Sequence, residues 1–305
     1  MGLKNIFNNK STFFKLGLIF CLMTVSVVLH IMFATGILYF YGIELDIINN
    51  GDLANHNNIN SLKFIQLFSG IGLFITPTFL YAYLTDFNFR INSKIKRDLV
   101  LLIIAIMLLI TPFISFVFQL NQSFTFPSWM LEYDRQAELM TIAFLQMDNS
   151  IDLIINLFVL AVVPAIGEEL LFRGYLQQFF STWLNNHMAI IITALLFSAI
   201  HLQFQGFIPR FILGLLLGYF FYWSNSLWMP IIAHFVNNAQ AIIFSFPSFS
   251  NNQIVSYSGY SLFSNEVIID FKLAIFSFLS VSLLVYIFYK RTRQVDSKRK
   301  IIEGD

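Results

Sequence analysis

Charge is what this sequence has least of. Only 11% of its 305 residues are Asp, Glu, Lys or Arg, against about a quarter in soluble domains. With 57% hydrophobic residues and a mean hydropathy of +0.71, that shortage excludes an ordinary soluble domain and leaves a polytopic membrane protein. The net charge of +1 supplies no basic footprint for nucleic acid, so none is expected as a partner. A single cysteine, Cys21, excludes an internal disulfide and a thiolate metal site. Lying in an apolar run, it reads as a buried structural residue. Neither GxSxG nor HExxH occurs, so a serine-hydrolase elbow and a zincin helix are absent as motifs. The first apolar run, 13–41, is too long for a signal-peptide core of roughly 7–15 residues and reads as a retained membrane helix. "MGLKNI" lacks the Ser or Thr of a myristoylation signal.

What is there is a series of apolar segments. About 20 apolar residues cross a bilayer, and eight candidates appear, at 15–41, 64–85, 99–120, 151–180, 188–205, 208–224, 227–247 and 268–290. The expectation is an all-α membrane protein of about eight transmembrane helices. "QFQGFIPR", with Gly206 and Pro209, makes the fifth and sixth a tight hairpin. Three lysines lie in the first fifteen residues, four basic residues fall in 90–97 and six in 290–300, thirteen of the eighteen Lys and Arg. Basic flanks stay cytoplasmic, so both termini are expected inside. The segment 121–150 is then external. Its stretch "MLEYDRQAELMTIAFLQM" has helical spacing and suits either the outer membrane surface or a cap on the bundle. "INNGDLANHNNINS" reads as a solvated loop, and no internal repeat is visible.

Against this background "GEELLFRGYLQ", residues 167–177, stands out. A charge at the centre of a membrane helix costs about 2.5–3.5 kcal/mol on insertion scales. Glu169 and Arg173 are four apart, share a face, and stand in the favourable order. Glu168 points about 100° away and is left to find its own partner, water or proton. A structural ion-pair network between helices would use the same three residues. Other polar residues inside spans argue for more. "FSAIH" places His201 one turn after Phe197, and "HFVNN" places His234 and Asn238 four apart. His30 reads as a helix-bundling histidine; His56 falls in a loop and His187 at a helix start. At about 1.5 Å per residue, Glu168 lies about 26 Å from the outer side, and His201 and His234 about 20 and 10 Å from the inner side. All four could face one cavity in the inner half of the membrane.

One carboxylate, two imidazoles and an amide can activate water and stabilise an oxyanion. Glu168 would take a proton from water and His201 would hold that water, while His234 and Asn238 would donate to the tetrahedral intermediate. Glu168, His201 and His234 could also bind zinc or another divalent metal, since two histidines and a carboxylate form a known zinc set. Either way the reaction is peptide hydrolysis without a covalent intermediate. Among lesser residues, Phe197 would fix the rotamer of His201, Arg210 reads as an interface anchor, and Gly214 and Gly218 permit close helix packing. Trp183, Trp223 and Trp228 read as interfacial anchors.

In order, Glu168-Glu169-Arg173, Phe197-His201 and His234-Asn238 give EExxxR, FxxxH and HxxxN. This ordered triple, over about 150–245, resembles the CPBP family of intramembrane proteases, the type II CAAX prenyl endopeptidases and bacteriocin-processing enzymes also called the Abi family. The resemblance implies a helical core with a cavity open to the cytosolic side. It implies a water-activating glutamate assisted by the histidines and asparagine, with or without a metal. Three regions follow: membrane helices and the external segment in 1–149, a catalytic core in 150–247, and a last span with a basic tail in 248–305. The implied partner is a membrane-anchored or membrane-associated peptide in the bilayer. The wealth of Asn, Ile and Phe points to an AT-rich genome, hence a bacterial inner membrane. The alternative is a catalytically silent bacteriocin-immunity or partner-binding protein of the same fold.

Overall fold

A computed structural model of the chain describes residues 3–43, 56–91, 96–247 and 270–303. Every regular element among them is helical: α1 (Thr12–Phe40), α2 (His56–Gly70), α3 (Thr76–Thr85), α4 (Arg97–Leu109), α5 (Thr111–Gln122), α6 (Ser128–Phe144), α7 (Ser150–Asn156), α8 (Val163–Glu169), α9 (Gln178–Phe180), α10 (Asn186–Ala199), α11 (Phe207–Ser224), α12 (Trp228–Ser245) and α13 (Phe271–Glu303). The π-helical turn Ile71–Ile75 joins α2 to α3; Leu157–Val162 and Leu170–Gln177 join α7, α8 and α9 into one rod. The protein is thus an all-α polytopic membrane protein.

Of the eight expected spans, length and composition single out five or six. Among the described residues, five helices are long and apolar enough to cross a membrane: Thr12–Phe40, Asn58–Thr85, Ser150–Phe180, Phe207–Ser224 and Phe271–Arg293. A sixth arises if α4 and α5, bent by 40° at Ile110, form one span; Pro112 opens α5 and cannot continue the preceding hydrogen-bond ladder. The expected spans at 188–205 and 227–247 are different in kind. α10 has only 14 residues, about 21 Å at about 1.5 Å per residue. α12 carries His234, Asn237, Asn238 and Gln240. α12 buries most of its apolar side chains in the bundle, whereas α10 keeps Met188, Leu195 and Leu196 exposed.

Part of the Asn-rich stretch is helical, because α2 starts at His56; residues 44–55 and 248–269 lie outside the described ones. Cys21 is exposed rather than buried. α1 turns most of its surface to the lipid, and an apolar run looks alike facing lipid or core.

Side chains define the two ends of the bundle. At one, Arg90 Nη1 donates to Asn225 Oδ1 (2.6 Å), Trp228 Nε1 donates to Ile91 O (2.9 Å), and Arg291 pairs with Asp98 at 3.2 Å. At the other, Asn121 Nδ2 donates to the carbonyls of Phe204 and Gln205 (2.9 and 2.5 Å), and Gln205 N–H donates to Asp134 of α6 (3.2 Å). The segment 121–150 therefore caps the bundle through α6. α6 holds its own turn with a bidentate Arg135–Glu132 pair, which keeps the Glu132 carboxyl down at about 2. Burial instead pushes the Asp134 carboxyl up.

Close approach of the helices depends on glycine. A Cβ at Gly72 would fall 2.7 Å from that of His30, at Gly167 2.7 Å from that of Phe74, and at Gly218 2.8 Å from Ile190 Cγ2. A Cβ at Gly214 would fall 3.1 Å from that of Ala194, so the "GLLLG" stretch serves internal packing. His30 is indeed a bundling residue, its Nδ1 2.9 Å from Ser26 O and its Nε2 3.3 Å from Thr76 Oγ1.

Overpacking a core of this kind costs about 1–3 kcal/mol. Gly72→Ala is therefore expected to lower the unfolding midpoint in detergent. Gly36→Ala, on the same side of the bundle with nothing within 4 Å, is expected to leave it unchanged.

Candidate active site

The six signature residues come together, but they form two layers. In the inner layer, Glu169 and Arg173 are wholly buried, with Arg173 Nη1 donating to Glu169 Oε1 at 2.8 Å. The i,i+4 contact survives the π-helical turn that starts at Leu170. Such turns widen a helix locally and recur at functional sites. Arg173 reaches further, donating from Nη2 to Gly214 O at 2.9 Å and lying 4.6 Å over the Phe197 ring. Gly214 leaves its carbonyl accessible because the helix has no side chain there.

His234 joins this layer. Its Nδ1 stands 2.9 Å from Glu169 Oε1; a carboxylate accepts, so Nδ1 carries the hydrogen. The sequence reading left Glu169 to Arg173 alone, whereas here one carboxylate oxygen serves both an arginine and a histidine from another helix. Phe197 is the shared wall, its ring 5.3 Å from His201, 5.7 Å from His234 and 5.2 Å from Phe172.

The outer layer lines a cavity of about 320 Å³ that includes Glu168, His201, His234 and Asn238. Glu168 Oε2 is buried with no protein hydrogen-bond partner and lies 4.0 Å from His201 Nε2. That gap is too long for a direct hydrogen bond. His201 Nδ1 is 2.8 Å from Phe197 O. A carbonyl only accepts, so Nδ1 bears the proton and the neutral ring offers the Nε2 lone pair toward Glu168. Asn238 Nδ2 donates to Leu160 O (3.3 Å), and its Oδ1 accepts from Asn237 Nδ2 (3.2 Å). One N–H of the Asn238 amide remains for the cavity.

Three positions differ from the sequence reading. Arg210, read as an interface anchor, is buried at 3% exposure, lines the cavity, and bonds both the backbone and the side chain of Gln203. Its place four residues into α11, after a tight turn, folds it inward. The cavity also extends further than expected, reaching from the catalytic groups to the end of α6. His201 follows the end of α10, a few residues before the Phe204 and Gln205 carbonyls held by Asn121. Thr141, Phe144 and Leu145 of the capping segment line the same space. Third, Glu168, His201 and His234, as placed, do not form a metal set: no three His, Cys, Asp or Glu side chains among the described residues stand close enough to hold an ion.

Gln66, Thr141, Gln203 and Asn237 also line the cavity and were missed. Gln66 and Asn237 carried a signal, being polar residues within apolar spans. Thr141 and Gln203 carried none, because polarity is ordinary in connecting segments.

Residues 150–240 match the family model described as Type II CAAX prenyl endopeptidase Rce1-like. They contain Glu168, Glu169, Arg173, His201, His234 and Asn238. The uncharacterized protein YpbD of Bacillus subtilis (strain 168) is 31% identical over 88 residues, 28% of this chain. The match spans 42% of that relative's length. No solved structure matches the chain. Over residues 150–240, the chain is thus similar to the Rce1-like type II CAAX prenyl endopeptidases.

Proposed function

We propose that this protein is an intramembrane endopeptidase that hydrolyses peptide bonds of membrane-associated substrates with water activated by Glu168 and His201. The observation that carries the reading is the 4.0 Å separation of Glu168 Oε2 from His201 Nε2, with both groups in one cavity and the carboxylate oxygen unbonded to protein. One water spans such a gap. Glu168 and His201 would each accept one of its hydrogens, leaving an oxygen lone pair for the scissile carbonyl.

The steps balance with no other reactant. The water oxygen bonds to the carbonyl carbon, its proton passes to Glu168, and the carbonyl electron pair moves to oxygen. The remaining Asn238 N–H stabilises that oxyanion, while Glu169 holds His234 in place. Collapse restores the C=O bond and breaks C–N, and Glu168 returns its proton to the leaving amine. Glu169 and Arg173 are positioning residues in this scheme, holding His234 and Phe197. Their charges stay fixed, which keeps the field around Glu168 constant through the reaction. No three His, Cys, Asp or Glu side chains among the described residues are grouped to hold an ion, and no step is routed through one.

The first test compares peptide termini in host membranes from wild type and a Glu168→Gln strain at equal protein levels. Wild-type-specific termini are expected; identical termini would leave a binding or immunity protein. On peptides so identified, Glu168→Gln should lower the rate about 10²–10⁴-fold, the usual worth of a general base. Asn238→Ala should lower it about 10²–10³-fold, as for an oxyanion donor.

Arg173→Met tests the division of roles. Removing one partner of a buried pair costs about 3–5 kcal/mol, so thermal stability in detergent should fall sharply. Glu168→Gln, at the cavity wall, should keep it. Finally, purified protein treated with a strong chelator of divalent metals should cleave at the untreated rate; loss restored by added zinc would replace the water-only scheme.

A further inference from the structure

We infer that Arg210, with Asp134 and Asn121, clamps the turn that follows α10 in a strained conformation and thereby positions His201 against Glu168. The positioning role rests on the endopeptidase reading above; the clamp itself does not.

The turn 200–206 joins the end of α10 at Ala199 to the start of α11 at Phe207. His201 lies in it, one residue past the cap of α10 at Ile200. Its ring is tied at Nδ1 to Phe197 O (2.8 Å), so the reach of Nε2 toward Glu168 depends on where the turn sets its backbone. The next residue, Leu202, has a φ of +52°. Of the five non-glycine residues with positive φ among the described ones, three are Asn or Asp, whose short polar side chains ease the left-handed conformation. Leucine has no such help, and its left-handed form is disfavoured about 5–30-fold. Leu202 is 55% exposed, so its own packing does not force that conformation. Such strain persists where the surroundings over-determine the backbone.

Three side chains from three helices do so. Asn121 of α5 donates to the carbonyls of Phe204 and Gln205 (2.9 and 2.5 Å), and Asp134 of α6 accepts from Gln205 N–H (3.2 Å). Arg210 of α11 donates from Nη1 to Gln203 O (3.3 Å) and from Nη2 to Gln203 Oε1. Gly206 makes room for that guanidinium, since a Cβ there would fall 3.0 Å from Nη2. At the base of the turn, Ser198 Oγ donates to Phe207 O (2.7 Å). The three clamping side chains all bind beyond Leu202, in 203–205, and together they fix the direction in which the chain leaves His201. Arg210 also lines the cavity, so direct contact with substrate is the rival reading. Asp134 separates the two, because it holds the same turn from outside that cavity's wall.

The test uses the full chain in detergent. Hydrogen exchange across residues 200–207, read by mass spectrometry, reports local opening of the turn without reference to catalysis. Arg210→Gln and Asp134→Ala should each speed exchange there; unchanged exchange in both overturns the clamp. On peptides identified from the wild-type-specific termini, both variants should lower kcat, by about 10²-fold for a shift of about 1 Å, with KM little changed. Glycine adopts the left-handed conformation freely, so adding Leu202→Gly to either variant should recover about 5–30-fold of the loss. Leu202→Gly alone should keep the wild-type kcat. A rise in KM for Arg210→Gln, with Asp134→Ala at the wild-type kcat, overturns the positioning role and makes Arg210 a substrate contact. A loss of kcat that Leu202→Gly does not recover overturns it as well. If Arg210→Gln does not fold, Asp134→Ala with and without Leu202→Gly carries the same comparison. Faster exchange in the variants with no cleavage by wild type overturns the endopeptidase reading and the positioning role together, while the clamp stands.

Discussion

The site rests on one buried charge cluster. Glu169 and Arg173 have no solvent exposure, and an isolated charge there would be strongly unfavourable. Each is tolerated because the other is present, and because both reach neighbouring helices, Glu169 to His234 of α12 and Arg173 to Gly214 of α11. A pair confined to one helix would fix only that helix. This one ties three together, and the cavity is the space left beside it. Buried pairs of this kind add little net stability over apolar packing, while breaking one is costly. Its value to the protein lies in register.

That register lets two adjacent glutamates do different things. Glu169 turns into the bundle, where its Oε1 meets both Arg173 and His234. Glu168, one residue earlier, faces the cavity with an oxygen that no protein group satisfies. The π-helical turn that begins at Leu170 and the glycines at 167 and 214 set how closely the surrounding helices approach. Phe197 completes the arrangement, separating the two histidines while placing its face under Arg173.

Much of this was legible beforehand. Polar side chains inside apolar runs are conspicuous because insertion penalises them, so Glu168, Glu169, Arg173, His201, His234 and Asn238 could be picked out one by one. The i,i+4 spacing assigned Arg173 to Glu169 and left Glu168 over. The number of spans was not legible: α10 is apolar but only 14 residues long, and α12 is apolar enough to resemble a membrane helix while burying much of its surface. Nor was Arg210, whose polar neighbours in a turn made inward folding look the same as an interfacial position.

The sequence by itself determined the class of the protein, the membership of the charge cluster and the end of the bundle that carries the positive charge. Each of these follows from composition or from spacing along one helix. Only the tertiary structure decided that His234 shares an oxygen of Glu169, that Gln203 and Arg210 belong to the cavity, and that the cavity reaches α6. Those are contacts between segments far apart in the chain, and they depend on the angles at which helices cross. A repeat of 3.6 residues says which side chains share a face, but it does not say what that face meets.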